Sequence, residues 1–211
     1  MDLKGNDNLI PNSWRFWAKG VSKETPICGI IRDSSDSIGR NYPFLVIGTG
    51  YLKNWEEQWD LLPFACEKTW NQIEYISAQK FSDLKKLETE IQNIRPPDSG
   101  WPELKLKREE SMKCEGNPGA GTFYWDPGEL IKQGSYLSEE SGTFIPLDQE
   151  TCYDQSTLIS HWHLLLKNHA KTIPNSTFMG GTFSKLFLTF FNRPLSPADF
   201  IKLWTASLPE G

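Results

Sequence analysis

Three histidines, four cysteines and one loop with two aspartates and an arginine are the residues of this chain whose types and spacing suit chemistry. His161-Trp162-His163, with Cys152, Asp154 and His169 nearby, is the candidate metal cluster. Its surroundings read as a helix, on which positions 161 and 163 point about 200° apart and cannot share one ion. On a strand they would share a face, but no second group of His and Cys completes a site. Ordinary helix histidines are the expectation. The run Gly116-Asn117-Pro118-Gly119-Ala120-Gly121 is not GxGxxG and lacks the Lys-Ser/Thr of a Walker loop, so a connector is expected there rather than a phosphate cradle. Neither a G-x-S-x-G elbow nor HExxH occurs. A nucleophile such as Cys28 or Cys66 needs a positioned base, and all three His lie in one short segment, which leaves few partners for triad geometry. No catalytic residue, metal or cofactor is expected.

The cysteines at 28, 66, 114 and 152 form no CxxC pair and are expected to be isolated, buried, reduced thiols. The loop from Asp33 to Asn41 supports two readings. In one, Asp33, Asp36 and Arg40 present a functional carboxylate and guanidinium at a strand end, with a pocket at Asp36 and Arg40 for a small molecule or a hydrolytic reaction. In the other, Arg40 bonds Asp36 or loop carbonyls bidentately, Gly39 supplies a left-handed corner, and the loop pins itself. The second is favoured, because Asp and Ser side chains bond their own backbone so readily.

These residues must be carried by a scaffold, and composition bounds it. In 211 residues, 22 Lys and Arg stand against 27 Asp and Glu, a net charge of −5. That argues against a nucleic-acid grip built on general basicity. Aromatics reach 13%, with nine Trp and twelve Phe, enough large side chains to build a core. No run of apolar residues is long enough to span a bilayer, and the N-terminus has no apolar secretory core, so a cytoplasmic protein is expected.

The runs Ile27 to Arg32 and Tyr42 to Gly48 read as strands, joined by a structured loop rather than a hairpin turn. Trp55, Trp59, Leu62, Cys66, Thr69, Ile73 and Ile76 step by three and four, the stripe of an amphipathic helix over 54–79, which Pro63 would split. A second helix runs through Phe81, Leu84, Leu87, Ile91 and Ile94 with Ser82 as its cap, antiparallel to the first. Residues 95–120 have the mixed charge and glycine content of an exposed excursion. Strands are expected at Gly121 to Trp125, Gly142 to Leu147, Ser176 to Met179 and Leu186 to Phe191. A helix is expected along Leu158, Ile159, Trp162, Leu165, Leu166 and His169, and a last one behind Ser196-Pro197-Ala198-Asp199. Strands and helices alternate, so the class is α/β.

At the first loop the chain resembles a known family. Trp14-Arg15-Phe16, then Gly29 through Phe44 with Ser34, Asp36, Gly39, Arg40, Tyr42 and Pro43 in place, is similar to the W-R-F … S-x-D-x-x-G-R-x-[FY]-P segment of the ImpM/TagF family of type VI secretion-associated proteins. Phe178 to Thr182, Arg193 to Phe200 and Leu203-Trp204 resemble its closing strand, turn and helix. The front departs from the family, whose members open with G-K-[LI]-P-x-x-G-D-F where this chain has MDLKGNDNLIP.

The resemblance implies a three-layer α/β/α sandwich with a central mixed sheet, a single domain over 14–207 behind an N-terminal arm at 1–13. It implies a cytoplasmic, non-enzymatic accessory protein, a post-translational repressor or assembly factor tied to a forkhead-associated scaffold. Trp14, Arg15, Ser34, Asp36, Gly39, Arg40, Tyr42 and Pro43 are then the candidate partner-binding residues. Among the tryptophans, Trp55, Trp59 and Trp162 are expected in the core, while some of Trp14, Trp17, Trp101, Trp125 and Trp204 are candidates for surface anchors.

Overall fold

The computed structural model describes residues 12–35, 38–79, 83–111, 142–147, 154–169, 172–182 and 185–206. Six strands are β1 (Ser13–Ala18), β2 (Ile27–Ser35), β3 (Asn41–Thr49), β4 (Thr143–Leu147), β5 (Ser176–Gly181) and β6 (Leu186–Phe191). They form one sheet in the order β3-β2-β1-β5-β6-β4. The helices are α1 (Leu62–Ser77), α2 (Leu84–Gln92), α3 (Trp101–Ser111), α4 (Gln155–His169) and α5 (Pro197–Thr205). The class is α/β as expected, but the sheet is not mixed: every neighbouring pair is antiparallel. Consecutive strands β1-β2-β3 and β5-β6 follow each other without an intervening helix, so they pair as meanders and no βαβ crossover is needed.

Alternation along the strands sends side chains to two clusters. Trp17, Cys28, Ile30, Met179, Leu188 and Phe190 face one side and pack with Leu62, Cys66, Trp70 and Ile73 of α1 and Ile159, Trp162 and Leu166 of α4. Trp14, Phe16, Ile31, Phe178 and Phe191 face the other, where Leu203 of α5 is fully buried among them. Both edge strands carry a proline, Pro43 in β3 and Pro146 in β4. Only an edge tolerates a residue that cannot donate to the ladder.

Several boundaries differ from the sequence reading. The stripe from Trp55 is not one helix split at Pro63. Asn54 has φ 59°, residues 59–61 form a short 3₁₀ turn, and Pro63 sits in the first turn of α1, the position where its missing N–H costs nothing. Helix α2 is capped by Asp83, whose side chain accepts from the Lys85 N–H at 3.0 Å, rather than by Ser82. Ser82 and Phe81 lie outside the described residues, as do the strand expected at 121–125 and the glycine run at 116–121. Within the span read as an exposed excursion, α3 keeps most of its side chains exposed but buries Leu104 and Arg108. The rest of that span, 112–120, is outside the described residues. Asp154 caps α4, accepting from the Thr157 N–H at 3.0 Å. At α5 the expected signals agree: Ser196 donates from its N–H to Asp199 Oδ2 at 2.7 Å, and Pro197 opens the helix.

Candidate functional site

Strands β2 and β3 pair antiparallel further into the segment 33–41 than the two strands read from the sequence. The ladder runs on through Asp33↔Pro43, Ser34↔Tyr42 and Ser35↔Asn41. Backbone pairing across the edge outcompetes the local side-chain bonds that Asp and Ser offer. Gly39 at the tip has φ 83°, the left-handed corner the sequence called for. A Cβ there would meet nothing within 4 Å, so glycine is required for conformation and not for space.

The candidate residues divide by burial. Trp14 is wholly buried in the cluster beneath α5. Arg15, on the opposite face of β1, is held by α1: Nε donates to Glu74 Oε1 at 2.7 Å, and Nη2 donates to Glu74 Oε2 at 2.7 Å and to Asn71 Oδ1 at 2.8 Å. Its guanidinium also lies 6.0 Å from the Trp70 ring centroid. These two residues tie β1 to α5 on one face and to α1 on the other. Ser34 is half-buried, whereas Gly39, Arg40, Tyr42 and Pro43 are exposed. Asp36 lies outside the described residues.

The carboxylate that organises this end of the sheet is Asp33. Its Oδ2 accepts from the Asn12 N–H at 2.8 Å and its Oδ1 from the Trp204 indole at 2.5 Å. It is thus tied to α5 and to the residue before β1. Asn12 in turn donates from Nδ2 to the Trp204 carbonyl at 3.3 Å.

Sequence reasoning missed the rest of the exposed edge. Phe44, Leu45 and Ile47 are exposed beside Tyr42, with Ile47 56% accessible. The run Tyr42 to Gly48 was read only as a strand, and the proline within it was the sign of an edge. Of the tryptophans, Trp14, Trp17, Trp55, Trp59 and Trp162 are buried, while Trp101 and Trp204 are half-buried. Trp125 is outside the described residues.

The histidine segment is structural in its geometry. His163 is buried, receives a hydrogen bond at Nε2 from Trp17 Nε1 at 3.1 Å, and places Nδ1 2.8 Å from the Ile159 carbonyl. Nδ1 therefore carries the proton and Nε2 the lone pair. Burial pushes its pKa down to about 4, against the smaller opposing pull of the Ile159 carbonyl and Asp60. His161, on another side of α4, is lowered by burial first and by the Arg108 charge second. Among the described residues no three His, Cys, Asp or Glu gather as a metal site, and no helix is long and apolar enough to cross a membrane.

Nearby, Asp60 is buried between two cations, with Arg108 Nη1 at 2.6 Å and Lys167 Nζ at 2.5 Å. Burial alone would raise its pKa, but the hydrogen bonds and charges of Lys167 and Arg108 together hold the carboxyl below its ordinary range. This network fastens α3 and α4 to the turn before α1.

Two cavities lie away from the hairpin tip. One of about 480 Å³ is lined by Ser22 to Thr25 and by Tyr51 and Asn54 to Glu57. The other, about 230 Å³ and mainly apolar, lies between β2, α1 and the segment after α2.

Residues 9–94 match the model of the TagF N-terminal domain, type VI secretion system-associated. Over these residues the chain is similar to that domain of the TagF family. No curated protein and no solved structure matches it. The TagF match takes in β1 to β3, α1 and α2, yet β1 is paired along its whole length with β5, from Ser13↔Gly181 to Ala18↔Ser176. The TagF segment therefore shares its sheet with strands outside the match. Gly180 makes that pairing possible: a Cβ there would stand 2.0 Å from the Ser13 carbonyl oxygen.

Proposed function

We propose that this chain is a non-enzymatic accessory protein of type VI secretion, a post-translational repressor or assembly factor that acts in the cytoplasm by binding another protein, with a forkhead-associated scaffold as the partner. In this reading it is one domain of three α/β/α layers, with the outer hairpin as the docking element. The observation that supports it is the edge hairpin inside the TagF match, where Gly39, Arg40, Tyr42 and Pro43 are exposed together with Phe44, Leu45 and Ile47.

An edge strand offers unpaired backbone donors and acceptors, and aromatic and aliphatic side chains beside them supply the desolvated contact that interface centres use. The net charge of −5 favours encounter with a basic surface. A structural role for the chain's chemistry-bearing side chains supports the non-enzymatic part: both ring nitrogens of His163 are engaged, Asp33 is tied to Trp204, and Arg15 to Glu74.

The test is affinity capture of the tagged protein from its own organism, comparing wild type with Arg40→Ala and Tyr42→Ser. Recovery of a forkhead-associated scaffold or another type VI component, reduced in both variants while their unfolding midpoints are unchanged, is the expected result. An empty capture beside a folded protein would overturn the reading and favour a ligand pocket at Asp36 and Arg40. Loss of a measurable turnover in purified Arg40→Ala would remove the non-enzymatic part.

A further inference from the structure

The cysteines were expected as isolated thiols, but two of them meet. Cys28 on β2 and Cys66 on α1 are free and buried, hydrogen-bond to each other, and line the same 230 Å³ cavity. We propose that Cys28 and Cys66 form an oxidisable dithiol, a site that a small hydroperoxide entering this cavity converts to an intramolecular disulfide.

The cavity exists because of a missing side chain. Gly48 is the β3 partner of Cys28 in the ladder, so a side chain there would stand on the same face, against the thiol. A Cβ at Gly48 would meet only the Cys28 carbonyl oxygen, at 3.7 Å. Trp17, Leu52, Leu62 and Ile94 give the space apolar walls. Its volume is several times the roughly 30 Å³ a water occupies in the liquid, enough to seat a small peroxide beside the sulfur.

The two thiols are not equivalent. The hydrogen bond from Cys66 favours the thiolate of Cys28 more than burial opposes it, while the same contact and complete burial push the Cys66 thiol up. Cys28 is therefore the sulfur that reacts first, and Cys66 the one that resolves it. The Cys28 thiolate attacks the terminal peroxide oxygen, the O–O bond breaks, and the leaving alkoxide takes the proton that Cys28 gave up, releasing an alcohol, or water from hydrogen peroxide. Cys28 is now a sulfenic acid, oxidised by two electrons. The Cys66 sulfur attacks it, the S–S bond forms as the S–O bond breaks, and the departing hydroxide takes the Cys66 proton as water.

The proposal uses residues other than the edge hairpin, so it and the proposed function can fail separately. Its test is stoichiometric hydrogen peroxide added to the reduced full-length chain, followed by unfolding, alkylation and peptide mapping. The expected product is a Cys28–Cys66 cross-linked peptide with both thiols lost to alkylation. Cys66→Ser should stop at a sulfenic acid on Cys28 that dimedone traps. Gly48→Val, which leaves both thiols in place and fills the cavity, should slow the reaction about tenfold or more. Full alkylation of Cys28 and Cys66 in the treated wild type would overturn the proposal, as would Cys28 cross-linked to Cys114, Cys152 or another chain. An undiminished rate in folded Gly48→Val would overturn the cavity as the route.

Discussion

Trp204 and Asp33 are 171 residues apart in sequence and joined by a hydrogen bond of 2.5 Å from the indole Nε1 to Oδ1. The bond closes α5 over the end of β2, and the other oxygen of the same carboxylate holds the Asn12 N–H just before β1. One acidic side chain thus ties together the start of the first strand, the end of the second and the last helix. It leaves the hairpin beyond it to project from a fixed base.

Removing that carboxylate should loosen all three. Asp33→Ala is expected to cost about 2–3 kcal/mol, because two donors lose an ionised acceptor. Trp204→Phe should cost less, and a double-mutant cycle in urea unfolding should show coupling of about 0.5–3 kcal/mol between the two positions. Additive losses would show that the bond contributes nothing of its own.

Trp14 and Trp17 make a matched comparison, since both are fully buried in β1. Trp17 donates to His163, whereas the Trp14 indole N–H has no hydrogen-bond partner among the described residues. Trp17→Phe leaves the buried Nε2 of His163 unpaired and should destabilise by about 1–3 kcal/mol more than Trp14→Phe. Equal losses in denaturant titration would contradict the tautomer assigned to His163.

His163 also sets a pH window. Its folded pKa is about 4 against an ordinary 6.5, so between these values the unfolded chain binds the proton that the folded chain refuses. Stability should therefore be complete above about pH 6.5 and fall as pH drops toward 4, by up to about 3 kcal/mol from this residue. His163→Gln should flatten that window, measured as the unfolding midpoint in urea against pH. Depressed carboxylates act below it: the Arg193 guanidinium holds Asp199 well below the usual range, so its contribution is lost only as pH falls further.

Asp60 tests the buried ion network. Asp60→Ala strands the buried Arg108 and should cost about 3–5 kcal/mol, with little relief from salt. The double variant Asp60→Leu with Arg108→Met should recover much of that loss, since neither charge is then left buried without its counterion. Thermal unfolding at low and high ionic strength reads both effects. A double variant as unstable as Asp60→Ala alone would refute the account.

Local pattern carried much of this molecule. The stripe at Leu62, Cys66, Thr69, Ile73 and Ile76 is the buried face of α1, and Leu158, Ile159, Trp162 and Leu166 are that of α4. Ser196 and Asp199 announced α5, and Gly39 its left-handed corner, because capping and positive φ depend on residues near in sequence. The resemblance to TagF was legible for the same reason: Trp14 to Phe16 and Ser34 to Pro43 are contiguous patterns, and they fall inside the TagF match. The structure then divided the candidate residues into buried supports and an exposed hairpin, a distinction the motif does not contain.

Type and periodicity, then, were written in the chain from neighbour to neighbour, where sterics and hydrogen bonding act over a few residues. What the fold decided was which distant residues meet: Asp33 with Trp204, Trp17 with His163, Asp60 with Arg108, and Cys28 with Cys66. Strand order was likewise settled by β1 zipping onto β5 and leaving β3 at the edge, where its apolar side chains stay exposed. Each of these pairs spans tens to well over a hundred residues, and only the packing of helices against the assembled sheet brings such residues within bonding distance.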